Sequence, residues 1–411
     1  MTHPVARPTE DTPLTALPAL DYAYIEETLL QLLAIPSPVG LTDGVVRYTA
    51  NRLEAMGLPY EITRRGAIRA TIKGRDPKPA RAIVAHLDTL GAMVRELKPN
   101  GRVGIVPIGH WSSRFAEGGR LTIFTDNQQL RGTCLPLKTS GHAFGGEIDT
   151  QPVGWEQVEV RVDQLSNSKA DLEALGLNVG DWIAFDPQPE IQPDGYINSR
   201  YLDDKAAVAV LLGACKAIVD SGRMPAVDVH PLFTITEEVG SGSSAALQGE
   251  IAEMVSLDIA IAAPGQNTNE QAATICMQDM SGPFDYHLTH KLINLAQLHN
   301  ISHRRDVFKY YRSDSAAAVE AGNDIRTALI GFGADASHGY ERTHKDALIS
   351  LTQLSVAYML SNPVARRDRK SMGSLEGFTE QIRPEDMLTP ATQLPDPESF
   401  FDQGEGAFGG R

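Results

Sequence analysis

The sequence predicts an α/β core interrupted by a small all-β module. Three observations carry this reading. Apolar runs of strand length alternate with amphipathic runs of helix length on both sides of the chain's middle. Between about residues 92 and 190 that alternation stops, and a Gly/Pro-rich stretch of short strands without a convincing amphipathic helix takes its place. Of the 411 residues, 42% are apolar, enough to build a sizeable core and to exclude global disorder.

Each element follows from its local pattern. Residues 1–20 are Pro/Thr-rich, lack the basic start and apolar stretch of a secretory signal, and are read as disordered. The run Tyr22–Ala34 (YAYIEETLLQLLA) places apolar side chains at helical spacing, and Pro36 ends it. A second helix is expected over about Val45–Met56, with Asp43 as N-cap and Gly57 past its end. Arg81–Ala85 has the short apolar composition of a buried strand. The β module then contributes GRVGIVPIGHW, RLTIFT and WEQVEVRVD. After Asp194-Gly195 the alternation resumes with a helix over about Asp204–Asp220 and strands over Val229–Thr236 and Asp258–Ala262. Helices over about Tyr286–His299 and Ser313–Ala321, a strand over Thr327–Gly331 and a last helix over Asp346–Leu360 complete the core. The expected organisation is therefore a discontinuous core, 21–91 and 191–362, an insert at 92–190, and a tail at 363–411. From Ser371 onward that tail holds eight acidic residues against two basic ones, and it is read as disordered.

Composition excludes several functions. The net charge of −15 argues against nucleic acid, whose binding depends on Lys and Arg neutralising phosphates, and against anionic membrane surfaces. No apolar run approaches the ~20 residues of a spanning helix. Three widely spaced cysteines, Cys134, Cys215 and Cys276, offer neither a disulfide framework nor a CxxC pair, which suits a reducing cytoplasm.

Four places where strands or loops end carry polar residues of the kind chemistry uses. His86 and Asp88 follow the 81–85 strand and, by period-two alternation, project to one side, so that one binds a cation while the other orients it. A plain hydrogen-bonded pair explains them equally well. Asp203-Asp204 precedes the apolar helix KAAVAVLLGAC, where it reads either as ligands or as a dipole-favourable helix start. Glu237-Glu238 ends the apolar run VHPLFTIT, and paired carboxylates there are costly unless a cation or proton offsets them. Adjacent side chains diverge, so one serves as ligand and the other stays free as a base. The segment Ser337–His344 packs two histidines, an arginine and a glutamate before the last helix. Together these are oxygen and imidazole donors without thiolate, a set suited to Zn, Mn or Co. A spare carboxylate then supplies general base catalysis on an activated water. Gly240-Ser-Gly-Ser-Ser-Ala245 matches a dinucleotide motif, but Glu237 and Glu238 beside it would repel a pyrophosphate, and a flexible turn is the better reading.

The order HLDTLGAMV, LDDKAAVAVLL, FTITEEVGSGS and ERTH resembles the co-catalytic metallo-aminopeptidases that include glutamyl aminopeptidase and the dodecameric tetrahedral aminopeptidases, over roughly residues 22–362. The resemblance implies a phosphorylase/hydrolase-like mixed sheet between helices, with the inserted β domain serving dimerisation. It implies two divalent metal ions per chain, zinc first, with cobalt or manganese as alternatives. His86, Asp203, Glu238 and His344 would be the metal ligands, with Asp203 bridging and Asp204 following it. Glu237 would be the general base and acid, and Asp88 would orient His86. The family's fifth, acidic ligand falls at Pro264 in DIAIAAPGQNTNE, which leaves Asp258, Asn267 or Glu270 as substitutes. The segments APGQN and ASHGYERTH resemble the branch associated with the osmoprotectant N-acetylglutaminylglutamine amide. The expected function is a cytoplasmic, metal-dependent aminopeptidase acting on short peptides as a homo-oligomer, a dimer or a multiple of dimers. Arg312 and Asp314 line its specificity pocket or simply begin a helix. The alternatives are an amidase or deacylase acting on a blocked dipeptide, and a metal-impaired binding protein motivated by Pro264.

Overall fold

The computed structural model describes residues 16–247 and 251–364. Its large sheet has 12 strands among the described residues, and its centre is parallel. The strand Val227–Thr234 pairs with Asp76–His86, which pairs with Ile251–Ala262, which pairs with Arg326–Asp335, all parallel. These are the near-continuous apolar strands that a sheet covered on both faces demands. Antiparallel strands flank them, among them Ile68–Ala70 on one side and Glu341–His344 and Tyr196–Ser199 on the other. The helix Leu202–Ser221 is buried along nearly its whole length and packs against the central strands and against the helices Tyr22–Leu33 and Lys345–Leu360. A helix apolar all round belongs in such an interior, which explains why LDDKAAVAVLLGAC has no polar face.

The insert is a closed six-stranded antiparallel barrel running from Gly91 to Phe185. It is slightly shorter than the expected 92–190, because Glu190–Ile191 pairs with Tyr196–Ser199 and so belongs to the large sheet. It also contains short helices that the sequence reading missed, such as Lys169–Ala174, whose single turn and a half is too short to show periodicity.

Other expectations need correction. Asp43 is not the N-cap of the second helix; it lies in the first turn of Asp43–Ala55 with Thr42 at the cap, where its charge still suits the helix dipole. Strands at Ala273–Asp279 and His303–Val307 were not anticipated, because charged residues such as Asp279, Arg304 and Arg305 mask their apolar alternation. Of the expected disordered N-terminus, residues 16–20 pack instead, with Leu17 and Leu20 against the core, and residues 1–15 lie outside the described residues. The expected disordered tail lies outside them from residue 365 onward, whereas Val364 is buried and its N–H donates to Glu253. Among the described residues no helix is long and apolar enough to cross a membrane.

At the end of the sheet away from the strand C-termini, Arg81 and Glu253 form a fully buried pair at 2.9 Å. Arg81 also donates to the Tyr358 carbonyl and the Ser361 hydroxyl, which ties the last helix to the sheet. Glu253→Ala would leave a guanidinium buried without its counter-charge, and is expected to cost about 3–5 kcal/mol. A urea titration checks this as a lower midpoint at unchanged slope.

Candidate metal centre

The parallel strands align their C-terminal ends, and register brings the polar residues together there. Thr234 pairs with His86, so the Glu237-Glu238 turn emerges beside the imidazole. Ser256 pairs with Val84, so Asp258, two residues further along, comes level with His86 on the same face. The helix Leu202–Ser221 starts beneath them with Asp203 and Asp204, which are joined by a cis peptide bond.

Two groups of ligand atoms result. His86, Asp203, Asp204 and Asp258 each bring one such atom within 4.8 Å of the others, and Asp203, Glu238 and His338 do the same. Asp203 belongs to both groups: one of its oxygens is 3.2 Å from His86 Nε2 and the other 3.4 Å from His338 Nε2. Glu238 lies 3.5 Å from His338 Nε2, while Glu237 belongs to neither group and lies 3.9 Å from His86 Nε2.

Both imidazoles are held by carbonyls. His86 Nδ1–H donates to the Asp88 main-chain oxygen at 3.0 Å, and His338 Nδ1–H donates to the His110 oxygen at 2.7 Å. A carbonyl can only accept, so Nδ1 carries the hydrogen in each ring and Nε2 is the nitrogen presented to the cluster. His110 lies just beyond a barrel strand, so the insert reaches over to orient a ring of the core. The Asp88 carboxylate stands 3.7 Å from His86 and accepts instead from the Glu237 and Glu238 N–H groups, pinning the turn that carries both glutamates. Glu341 has a matching role, accepting from the N–H of Asp203 and of His338.

The electrostatics ask for cations. Burial first, and the neighbouring carboxylates next, push Glu237, Asp204, Asp258 and Glu341 well above the usual carboxylate range despite the opposing histidines. Glu238 is pushed up to about 8, by burial and by the charges of Asp203 and Asp88. Asp203 goes the other way: burial raises it, but hydrogen bonds from His338 and His86 pull it further down. Burial would lower both histidines, yet Asp203 and the other carboxylates carry His86 well above its usual range and His338 to about 10. Buried Asp204 Oδ1 and Glu238 Oε1 have no hydrogen-bond partner among the described residues. Unpaired buried carboxylate oxygens facing neutral-capable imidazoles fit divalent cations, which would offset the repulsion that protons otherwise relieve.

Not every expected site residue is here. His344 is turned away. Glu341 points into the site, so His344, three residues along the same strand, faces the other side. It reaches the Asp194 carbonyl and, through Nδ1, caps the last helix at Asp346 N–H. The histidine of this segment that lies beside Asp203 and Glu238 is His338. Pro264 lies exposed beyond the end of Ile251–Ala262, and the carboxylate of this strand that joins His86, Asp203 and Asp204 is that of Asp258. Asn267 donates to the Arg305 carbonyl and Glu270 pairs with Arg342, both away from the cluster. Arg312 pairs with Glu320 at 2.6 Å rather than entering the site. Asp314 is buried behind it, accepting from Thr234 Oγ1 and Ser243 N–H. A Cβ on Gly242 would fall 2.1 Å from Asp314 Oδ1, so the glycine of the dinucleotide-like motif serves this close approach. A lone aspartate inside VSLDIAIAA was the available signal for Asp258, since an apolar strand does not bury a charge without a partner.

The M42 glutamyl aminopeptidase family matches residues 66–354. A Bacillus subtilis protein named as an aminopeptidase, YhfE, is 38% identical over 82% of this chain and 97% of its own. A Pyrococcus furiosus lysyl aminopeptidase is 26% identical over 44% of this chain and 49% of its own. Among solved structures, the aminopeptidase APDkam598 of Desulfurococcus kamchatkensis superposes with a TM-score of 0.74 at 21% identity, covering 82% of this chain and 95% of its own. The Pyrococcus horikoshii TET1 peptidase, which assembles into a tetrahedron or an octahedral shell, gives 0.73 at 19% identity, covering 82% and 100%.

Proposed function

Because the chain belongs to the M42 glutamyl aminopeptidase family and is a metal-dependent aminopeptidase, we propose that the two ligand groups meeting at Asp203 hold a pair of divalent ions, zinc first. The observation that carries this is the shared carboxylate, whose two oxygens face two imidazoles across 3.2 and 3.4 Å. In the proposal His86 and Asp258 complete one site, and Glu238 and His338 the other. Divalent ions held by these residues would supply Lewis-acid polarisation of the scissile carbonyl and a water of pKa lowered toward ~7. Glu237 stays outside both ligand groups, in keeping with a base. Its carboxylate takes the proton of the attacking water and delivers it to the leaving amine nitrogen as the C–N bond breaks. Asp88 holds the glutamate turn and, through its carbonyl, the His86 ring. Glu341 aligns Asp203 and His338.

The substrates in this reading are short peptides with a free amine. The barrel supplies a contact surface for a homo-oligomer built of dimers, an inference supported by the assemblies of the Pyrococcus horikoshii relative. A cytoplasmic location accords with Cys134, Cys215 and Cys276, all buried and free. The osmoprotectant link rests on the APGQN and ASHGYERTH segments.

One experiment tests the assignment: metal titration and cleavage of free, N-acetylated and amidated dipeptides by wild type, His338→Ala and His344→Ala. We expect about two equivalents of metal, and loss of cleavage by chelator. Metal stoichiometry should fall in His338→Ala and be retained in His344→Ala. Cleavage of blocked dipeptides alone would favour the amidase reading, and loss of metal only in His344→Ala would overturn the ligand set.

A further inference from the structure

Beside the metal centre a narrow cleft runs between core and barrel, lined by Leu90, Trp111, Arg200, Asp203, His338 and Gly339 among others. Its apolar wall is rigid: Trp111 Nε1 donates to the Gly91 carbonyl, and its ring packs edge-on against Trp155 and Phe185. Arg200 is the one lysine or arginine lining this cleft. It is partly buried, and its guanidinium makes no hydrogen bond or ion pair among the described residues, where its main-chain N–H is engaged by the Pro187 carbonyl. The nearby acids do not hold it, because their oxygens are already engaged. Asp203 faces His86, His338 and the Ser337 hydroxyl, and Glu341 accepts from two main-chain N–H groups. A partly buried guanidinium with five donors, lining the same cleft as Asp203 and His338, has the chemistry to receive a planar anion in a two-pronged contact.

We infer that Arg200 docks a carboxylate of the substrate, making it a specificity-determining residue. The inference rests on the peptide-hydrolysing reading above. Two carboxylates have this chemistry: the terminal carboxylate of a dipeptide, and the side chain of an acidic first residue. Among the described residues lining this cleft Arg200 is the one lysine or arginine able to bind either, so the proposal predicts discrimination between charged and neutral versions of one substrate.

The test compares Ala-Ala with Ala-Ala amide, and Glu-Ala amide with Gln-Ala amide, on wild type, Arg200→Gln and Arg200→Lys. Wild type should prefer the charged member of at least one pair by about 10- to 100-fold in kcat/KM, the scale of a charge-assisted contact. The preference should fall to near one in Arg200→Gln and survive in part in Arg200→Lys. Collapse in the first pair identifies the terminal carboxylate, and collapse in the second the acidic side chain. A ratio unchanged in Arg200→Gln, or no preference in wild type, overturns the inference. Calorimetry with amide-reduced Ala-Ala analogues, as free acid and as amide, reads the same ratio without turnover. If no peptide is cleaved by wild type, the peptidase reading fails, and the binding ratio still decides the role of Arg200.

Discussion

Glu237→Gln is expected to slow peptide hydrolysis by about 10²–10⁴-fold while metal content stays at the wild-type level. The substitution keeps the shape of the side chain and removes only its capacity to take a proton. Glu237 stands outside both ligand groups, 3.9 Å from His86 Nε2. A loss of the general base should therefore appear in kcat, with KM little moved, because nothing that binds the ground state has been removed. Elemental analysis alongside steady-state kinetics separates this from damage to the metal site. A variant of full activity would remove Glu237 from the mechanism, and one that lost metal would make it a ligand.

Asp203→Asn is expected to abolish both metal binding and activity, the latter by at least about 10³-fold, the scale of removing a dominant electrostatic stabiliser. Asp203 is the one residue common to both ligand groups, and its carboxylate lies against both histidines. An amide carries no charge and presents one acceptor where two are used, so both sites lose a partner at once. His338→Ala, by contrast, removes a ligand from one group only. Metal stoichiometry therefore distinguishes the two variants: close to zero for Asp203→Asn, and intermediate for His338→Ala. A full complement of metal in Asp203→Asn would sink the shared-carboxylate geometry.

Much of the centre was legible because its signals are local. His86-Leu-Asp88, Asp203-Asp204 and Glu237-Glu238 each sit where an apolar run stops, and a run of buried strand or helix cannot tolerate such groups without purpose. Their order along the chain carried the family resemblance. What the sequence left open among its candidates stayed open for a physical reason in each case. Asp258 lies inside a strand rather than at its end, and only the pairing of Ser256 with Val84 shows that it stands level with His86. His338 and His344 are separated by six positions in one polar segment, and composition ranks them equally. The strand Glu341–His344 separates them, because alternation turns Glu341 inward and His344 outward to cap the last helix.

Periodicity along the chain was sufficient for the α/β core, the interrupting β module, and the carboxylates and imidazole adjoining the strand ends. Each of these follows from what a single segment must bury or expose. Tertiary structure alone decided the closure of the insert into a barrel, its reach from His110 to the His338 ring, the placement of His338 rather than His344 beside Asp203, and the absence of a partner for the Arg200 guanidinium among the described residues. These depend on register and on contacts between segments far apart in the chain, as in the hydrogen bond from His338 to His110, and such contacts are invisible to local pattern.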